Sequence, residues 1–355
     1  MKILFISRAF PPVIGGIENQ NFGVAKYLSR IHTVTTITNR RGKRFLPLFL
    51  IKALLLSLWH LPTTDRILLG DGVLSLFAWL LRMGGLRKKI ICIVHGLDIT
   101  YRNPLYQRLW IRRFFPAVDH FIAVSGNTRQ LLIDRGVPSD RISVIPNGVD
   151  FENIRMERDR RQLESLLGRP LDGQKLLLSI GRLIERKGIR WFVAEVMPQL
   201  NDDLLYLVAG SGPEEESIRK EIEKYGLLDR VILLGKVSDP EKSMLLSNAD
   251  LFIQPNIPIT GDVEGFGIAV IEASAHGLPV LASRLEGLTD AIIENENGWL
   301  VPAEDPGAFR RKITELFTTP DELEEVAARS VKVCRGQFDW AEIVRRYSDL
   351  LNQVK

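Results

Sequence analysis

Residues 2–16 read KILFISRAFPPVIGG, and residues 175–188 read KLLLSIGRLIERKG. Each stretch opens with an apolar hexapeptide, KILFIS and KLLLSI. Neither alternates cleanly between apolar and polar, which is the mark of a strand buried on both faces. Each then passes through a glycine-containing loop into helical spacing, Ile17 to Arg30 in the first case and from Gly188 in the second. One strand-loop-helix device used twice predicts two units of similar build. Working outward, further short apolar strands are expected at 34–38, 67–69, 90–94, 121–124 and 142–145, then at 204–209, 231–234, 251–254 and 280–282. Strands separated by helices argue for parallel sheets covered on both faces. The expectation is an α/β protein with two doubly wound domains, 1–155 and 170–337, divided by the polar run ENIRMERDRRQLESLLGR. The last helix, about 338–355, is free to pack back on the first domain. Two such domains offer a ligand the carboxyl ends of their strands.

Composition narrows the function. The chain has 355 residues, 45% hydrophobic and 25% charged, which supports two or three folded domains and excludes disordered and collagen-like classes. Two cysteines, Cys92 and Cys334, rule out a disulfide scaffold or thiolate metal cluster and fit a reducing compartment. The N-terminal apolar run is too short for a secretory signal, so the cytoplasm is expected. Phe45 to Leu61 (FLPLFLIKALLLSLWHL) has 17 residues with Lys52 in the middle, short of the roughly 20 that span a bilayer. Ile67 to Leu86 carries Asp71 and Arg82 and reads as a buried strand and helix rather than a span.

The formal charge of +4 conceals a division. Residues 1–150 hold 21 Lys and Arg against 8 Asp and Glu, a net of +13, while the remainder holds 26 against 35, a net of −9. One basic half faces an anionic partner: nucleic acid, a membrane surface or a phosphorylated substrate.

Three stretches carry chemistry. Gly15-Gly16, between the first strand and the first helix, permits close backbone approach and leaves free helix N–H groups for an anion; the bland alternative is a tight turn. No G-x-G-x-x-G follows a strand here, and Gly210-Ser211-Gly212 lacks the third glycine. In GRLIERKG, Arg182 and Lys187 suit a diphosphate beside a helix start, or else decorate a solvated loop. In DVEGFGIAVIEA, Glu264 and Glu272 bracket a glycine-rich turn, with a helix expected from about Phe266 and Glu272 two turns into it. Carboxylates accept hydrogen bonds from sugar hydroxyls; the alternative is an ordinary helix with two solvated glutamates.

Glu264 and Glu272 in E-x7-E spacing, with GRLIERKG, PPVIGGIE, IVHGLD, FIAVSGNT and IPNGVD in order along nearly the whole chain, resemble the retaining GT-B glycosyltransferases of family 4. The resemblance implies a GT-B fold, two Rossmann-like domains facing each other across a cleft. It also implies roles position by position. Gly15 and Gly16 would hold the donor diphosphate by backbone contacts, and Arg182 and Lys187 would neutralise it as a leaving group. Glu272 would bind the ribose, while Glu264 and the backbone of Phe266 and Gly267 would hold the sugar. His95 would face the sugar at the reacting centre; read by itself it is as well a packed or capping histidine. Asp98 and Ser125 match family positions loosely, and Val237 would contact the base through its backbone.

Breaking the bond to a nucleoside diphosphate develops positive charge on the sugar and negative charge on the phosphate, which preorganised cations stabilise. No D-x-D triplet or His and carboxylate cluster is present in the sequence, so neither metal nor separate cofactor is expected. The expected function is metal-independent, retaining transfer of a hexosyl unit from a UDP- or GDP-sugar. The acceptor side is expected on the first domain, where RRGKR, the apolar stretch after it, Arg87-Lys88-Lys89 and YRNPLYQRLWIRRFF (Tyr101 to Phe115) put cations beside Trp, Phe and Leu. That composition suits an amphipathic helix at an anionic membrane surface, or a core helix with a solvated basic face. A lipid-linked or cell-envelope glycan at the cytoplasmic membrane face is the favoured acceptor. The competing readings are a soluble acceptor, a nucleotide-sugar epimerase, and a basic nucleic-acid-binding protein. The last gives the E-x7-E element no role, so nucleic acid is not expected as a partner.

Overall fold

Lys2–Ser7 (β1) and Lys175–Ile180 (β7) each lie inside a separate six-stranded parallel sheet. The computed structural model describes residues 1–13, 15–154, 158–171 and 173–354. The first sheet adds Thr33–Thr38 (β2), Arg66–Leu69 (β3), Lys89–Val94 (β4), His120–Ala123 (β5) and Ile142–Val144 (β6) in the order β2-β1-β3-β4-β5-β6. The second adds Leu204–Ala209 (β8), Val231–Gly235 (β9), Leu251–Gln254 (β10), Val280–Ser283 (β11) and Gly298–Val301 (β12) in the order β12-β11-β10-β7-β8-β9. Every pairing is parallel. The central strands are buried along nearly their whole length, which is why their sequences run apolar without alternation.

The strand order fixes where ligands can sit. In each sheet the winding reverses once, between β1 and β3 in the first and between β7 and β10 in the second. Loops leaving those strands at their carboxyl ends part to opposite sides and open a crevice. Both loops quoted from the sequence leave one of these strands: RAFPPVIGG follows β1 and GRLIERKG follows β7.

Two compact units result: residues 1–148 with 261–266 and 338–355, and residues 149–260 with 267–337. The expected boundary at 155 lies outside the described residues. Residues 261–266, counted with the second domain from sequence, group with the first unit. The C-terminal helix Trp340–Gln353 also belongs to it. Trp340 stacks on Tyr27 at 5.7 Å, and side chains at Gly23 or Gly148 would collide with its indole. Arg66 at the start of β3 donates to the carbonyl oxygens of Leu351 and Val354. The polar run after the first unit contains the helix Arg160–Leu167, tethered by an ion pair of 2.9 Å from Arg160 to Asp250.

Candidate functional site

The second unit's switch point is held by glycine. Gly188 sits at φ 66°, and a Cβ there would lie 1.8 Å from the Pro255 carbonyl oxygen, so only glycine lets the loop after β7 lie against the loop after β10. The Ile257 amide donates to the Arg186 carbonyl at 3.0 Å across the same seam. This seam holds GRLIERKG in place. Arg182 is exposed, and among the described residues its guanidinium has no hydrogen-bond or ion-pair partner. With Lys187 it lines one small pocket walled by Ile180, Gly181, Val208 and Gln254. The helix expected from Gly188 is irregular, three residues (Ile189–Trp191) running into the wider turn Phe192–Val196. A short irregular helix offers little macrodipole, so charge compensation at this loop falls to the two side chains.

The glycine-rich turn is placed differently from the sequence expectation. Gly267 is left-handed at φ 90° and caps a helix that begins at Ile268, so Glu272 lies little more than one turn in, not two. The helix runs Ile268–Ala275 and, among the described residues, the Phe266 and Gly267 amides ahead of it have no acceptor. Phe266 is 2% exposed and packs edge to face on Phe338 at 5.6 Å. Glu272 accepts from Lys242 Nζ at 2.9 Å, and both are about three-quarters buried. Burial opposes the Lys242 charge, yet the Glu272 carboxylate holds its pKa above the ordinary lysine value. Sequence reading missed Lys242, which stands 30 positions away on the neighbouring helix Asp239–Asn248. Val237 is half-buried just before Ser238, the cap of that helix.

In the first unit, Gly15 and Gly16 open α1 (Gly16–Leu28). The nearest atoms to a Cβ on Gly15 would be the flexible end of Glu18. His95, directly after β4, is 8% exposed. Its Nε2 lies 3.0 Å from the Gly70 carbonyl oxygen, which can only accept, so Nε2 carries the proton and Nδ1 is left over. Its amide donates to Asp98, which also accepts from the Gly72 amide at 2.9 Å. Burial raises the Asp98 carboxyl pKa, and nearby Asp71 adds to the rise, against the opposing effect of His95. Residues 261–266 lie against this corner: a Cβ on Gly265 would be 2.3 Å from the His95 carbonyl oxygen, and Thr100 Oγ1 donates to Gly261 O. Glu264, 9% exposed, therefore belongs with His95 in the first unit. Ser125 is fully buried and caps the helix Gly126–Asp134 through the Thr128 amide, a structural task.

The apolar stretch forms α2 (Leu46–His60), with Phe49, Ala53 and Ser57 buried toward the sheet. Its other face presents Leu48, Ile51, Leu55, Leu58 and Trp59, the last 81% exposed. At 100° per residue these fall in one stripe about 100° wide. Residues 46–63 are long and apolar enough to cross a membrane, but Phe49 and Ala53 are part of the first unit's core. The basic stretches divide. Tyr101 to Phe115 packs inward: Trp110 Nε1 donates to Val73 O at 2.7 Å, and Ile111, Phe114 and Phe115 are buried, so this is a core segment with a solvated basic face. Lys88 is spent on the carbonyls of Leu61 and Thr64 and Lys89 on Asp119, while Arg40, Arg41, Arg44 and Arg87 are exposed. No group of three metal-ligating side chains occurs among the described residues.

Comparison with known proteins fits this layout. Residues 14–153 match the family model for glycosyltransferase family 4, and residues 168–332 match that for glycosyl transferases group 1. WcaL of Salmonella typhimurium, named as a colanic acid biosynthesis glycosyltransferase, is 32% identical over 288 residues, 78% of this chain and 67% of that protein. A GDP-mannose-dependent alpha-(1-6)-phosphatidylinositol monomannoside mannosyltransferase of Mycolicibacterium smegmatis is 24% identical over 378 residues, 99% of this chain and 98% of its own. Among solved structures, HepE of Anabaena in complex with UDP superposes with a TM-score of 0.79 at 20% identity, covering 99% of this chain and 100% of that one. At that identity the likeness speaks for the fold, which is GT-B.

Proposed function

The chain belongs to glycosyltransferase family 4, and from that premise we propose that it moves a hexosyl unit from a UDP- or GDP-sugar to a glycan acceptor carried on lipid, with retention and without a metal ion. The observation that carries the reading is Arg182: a guanidinium with no partner among the described residues, beside Lys187 on a loop fixed by Gly188 at the sheet's switch point. A cation carried on a fixed loop and left uncompensated is suited to the negative charge that grows on a departing diphosphate. Glu272, steadied by Lys242, is placed to accept from ribose hydroxyls, and the Phe266 and Gly267 amides to donate to donor oxygens. His95 Nδ1 and the buried Glu264 are assigned to the sugar. Both base types remain in the reading, because HepE was solved with UDP while the mannosyltransferase relative is named for GDP-mannose.

Lipid carriage of the acceptor is supported by the exposed stripe of α2, which belongs to the basic half of the chain. A helix with one face in the domain core and the other apolar face in solvent suits the interface plane, not a span. We assign the protein to the cytoplasmic face of the cell membrane as a peripheral protein, and we assign it no nucleic-acid partner. The test is product analysis with UDP-glucose and GDP-mannose in EDTA, with the cell's own lipid extract as acceptor. A new lipid-soluble glycoside formed in chelator supports the reading. Activity lost in EDTA and restored by magnesium or manganese defeats the metal-free step, and an isomerised donor makes the protein an epimerase.

A further inference from the structure

Arg8 spans the first unit's switch point. It follows β1 directly, and its Nε donates to Oδ1 of Asp71 at 2.8 Å. Asp71 stands just beyond β3, the strand on the far side of the reversal. Asp71 is fully buried and fixed in its own right, because the same Oδ1 accepts from the Val73 amide at 2.9 Å. Its Oδ2 is buried with no partner among the described residues. Arg8 keeps 20% of its side chain exposed, and among the described residues its two terminal nitrogens bond to nothing. Around it are Asp98 and Tyr106, and the Gly70 carbonyl that orients His95 precedes Asp71 by one residue. The free end of a planar fork is thus held at the carboxyl edge of β1 and β3, beside the candidate reacting corner.

We infer that Arg8, positioned by Asp71, is an acceptor-recognition residue whose free guanidinium end donates to a pair of oxygens on an uncharged sugar. This rests on the glycosyl-transfer reading above. The pair of oxygens follows from geometry, since the two terminal N–H groups lie parallel at the spacing that suits bidentate acceptors. The neutrality follows from charge. The guanidinium already faces the Asp71 carboxylate at contact, and Asp98 adds a weaker attraction. The group Arg8, Asp71 and Asp98 therefore carries no net positive charge, and an anion brought to it gains hydrogen bonds without Coulombic attraction. Arg182 differs on this point, because among the described residues no carboxylate pairs with it.

The test uses the full chain saturated with UDP or GDP, whichever binds, and ligand-observed NMR. The neutral probes are the methyl glycosides of glucose, galactose and mannose; the anionic probe is methyl glucuronide. Arg8→Lys keeps a charge for Asp71 and loses the fork, and Arg8→Gln loses both. The wild type should bind at least one neutral glycoside more tightly than the glucuronide. Both variants should weaken that binding tenfold or more, Arg8→Lys with its melting temperature retained. The inference is overturned by unchanged binding in both variants, by loss in Arg8→Gln alone, by preference for the glucuronide, or by a wild type that binds no neutral glycoside. Nucleotide affinity separates this from the broader reading. If the wild type binds neither UDP nor GDP, glycosyl transfer itself falls, whereas intact nucleotide binding with no effect at Arg8 removes only the acceptor assignment.

Discussion

The two switch points use arginine in opposite ways. At β7 and β10, Arg182 stands on a loop that glycine holds from behind, with no carboxylate paired to it among the described residues. At β1 and β3, Arg8 is tied at 2.8 Å to a carboxylate with no solvent exposure. The same residue type at equivalent places in two similar sheets therefore presents a net cation in one unit and an electrically balanced donor in the other. Sheet topology places the sites, and the presence or absence of one buried acid decides what charge each will take.

If that contrast is right, the largest effect belongs to the loop after β7. Arg182→Ala and Lys187→Ala should each lower turnover by about 10² or more, the scale of losing one preorganised donor to developing charge, with the fold intact by circular dichroism. Either variant turning over at the wild-type rate would move the diphosphate elsewhere. The next effect concerns the basic half as a whole. Binding to vesicles with anionic lipid should fall steeply as salt rises, since each exposed cation near such a surface contributes about 1 kcal/mol and the field fades over roughly 8 Å at physiological salt. Changing Arg40, Arg41, Arg44 and Arg87 to Gln should remove the salt-dependent part, and Trp59→Ser with Leu55→Ser the salt-resistant part. Equal sedimentation with neutral and anionic vesicles would leave a soluble acceptor.

A smaller effect is expected within the second unit. Glu272→Ala should weaken nucleotide binding about tenfold, within the range for hydrogen bonds to a charged group, and Lys242→Ala by less than about threefold, because Lys242 acts by holding the carboxylate. Equal losses would make the ion pair itself the binding feature. Smallest is a pH effect. Burial lowers the pKa of His32, His120 and His276 below the ordinary 6.5. The unfolded chain then takes up protons that the folded chain does not, so their contribution to stability is complete above pH 6.5 and is lost as pH falls. The melting temperature should decline from pH 7.5 to 5.5, and His276→Gln should shallow that decline; an unchanged slope would remove His276 from the account.

Much of this was legible in the sequence because buried parallel strands announce themselves as apolar runs. Lys2–Ser7, Lys175–Ile180, Leu204–Ala209 and Leu251–Gln254 coincide with the strands read from it. Gly298–Val301 escaped, being four residues beginning with glycine directly after the polar run ENEN. The stripe on α2 was hidden for another reason: leucines occupy both faces of LPLFLIKALLLSLWH, and only packing tells which face is covered. In the site, motif residues Arg182 and Lys187 lie close in sequence and were found together. Arg8 and Asp71 are separated by 63 positions, and Lys242 and Glu272 by 30. Such pairs are made by strand order and helix packing, which no local pattern encodes.

The contrast between the units is tested most directly by measuring the affinity of UDP and GDP for Arg182→Ala and Arg8→Gln side by side with the wild type. Affinity for the nucleotide that the wild type binds should fall tenfold or more in Arg182→Ala and stay within twofold in Arg8→Gln. Equal losses in both variants, or a loss confined to Arg8→Gln, would contradict it.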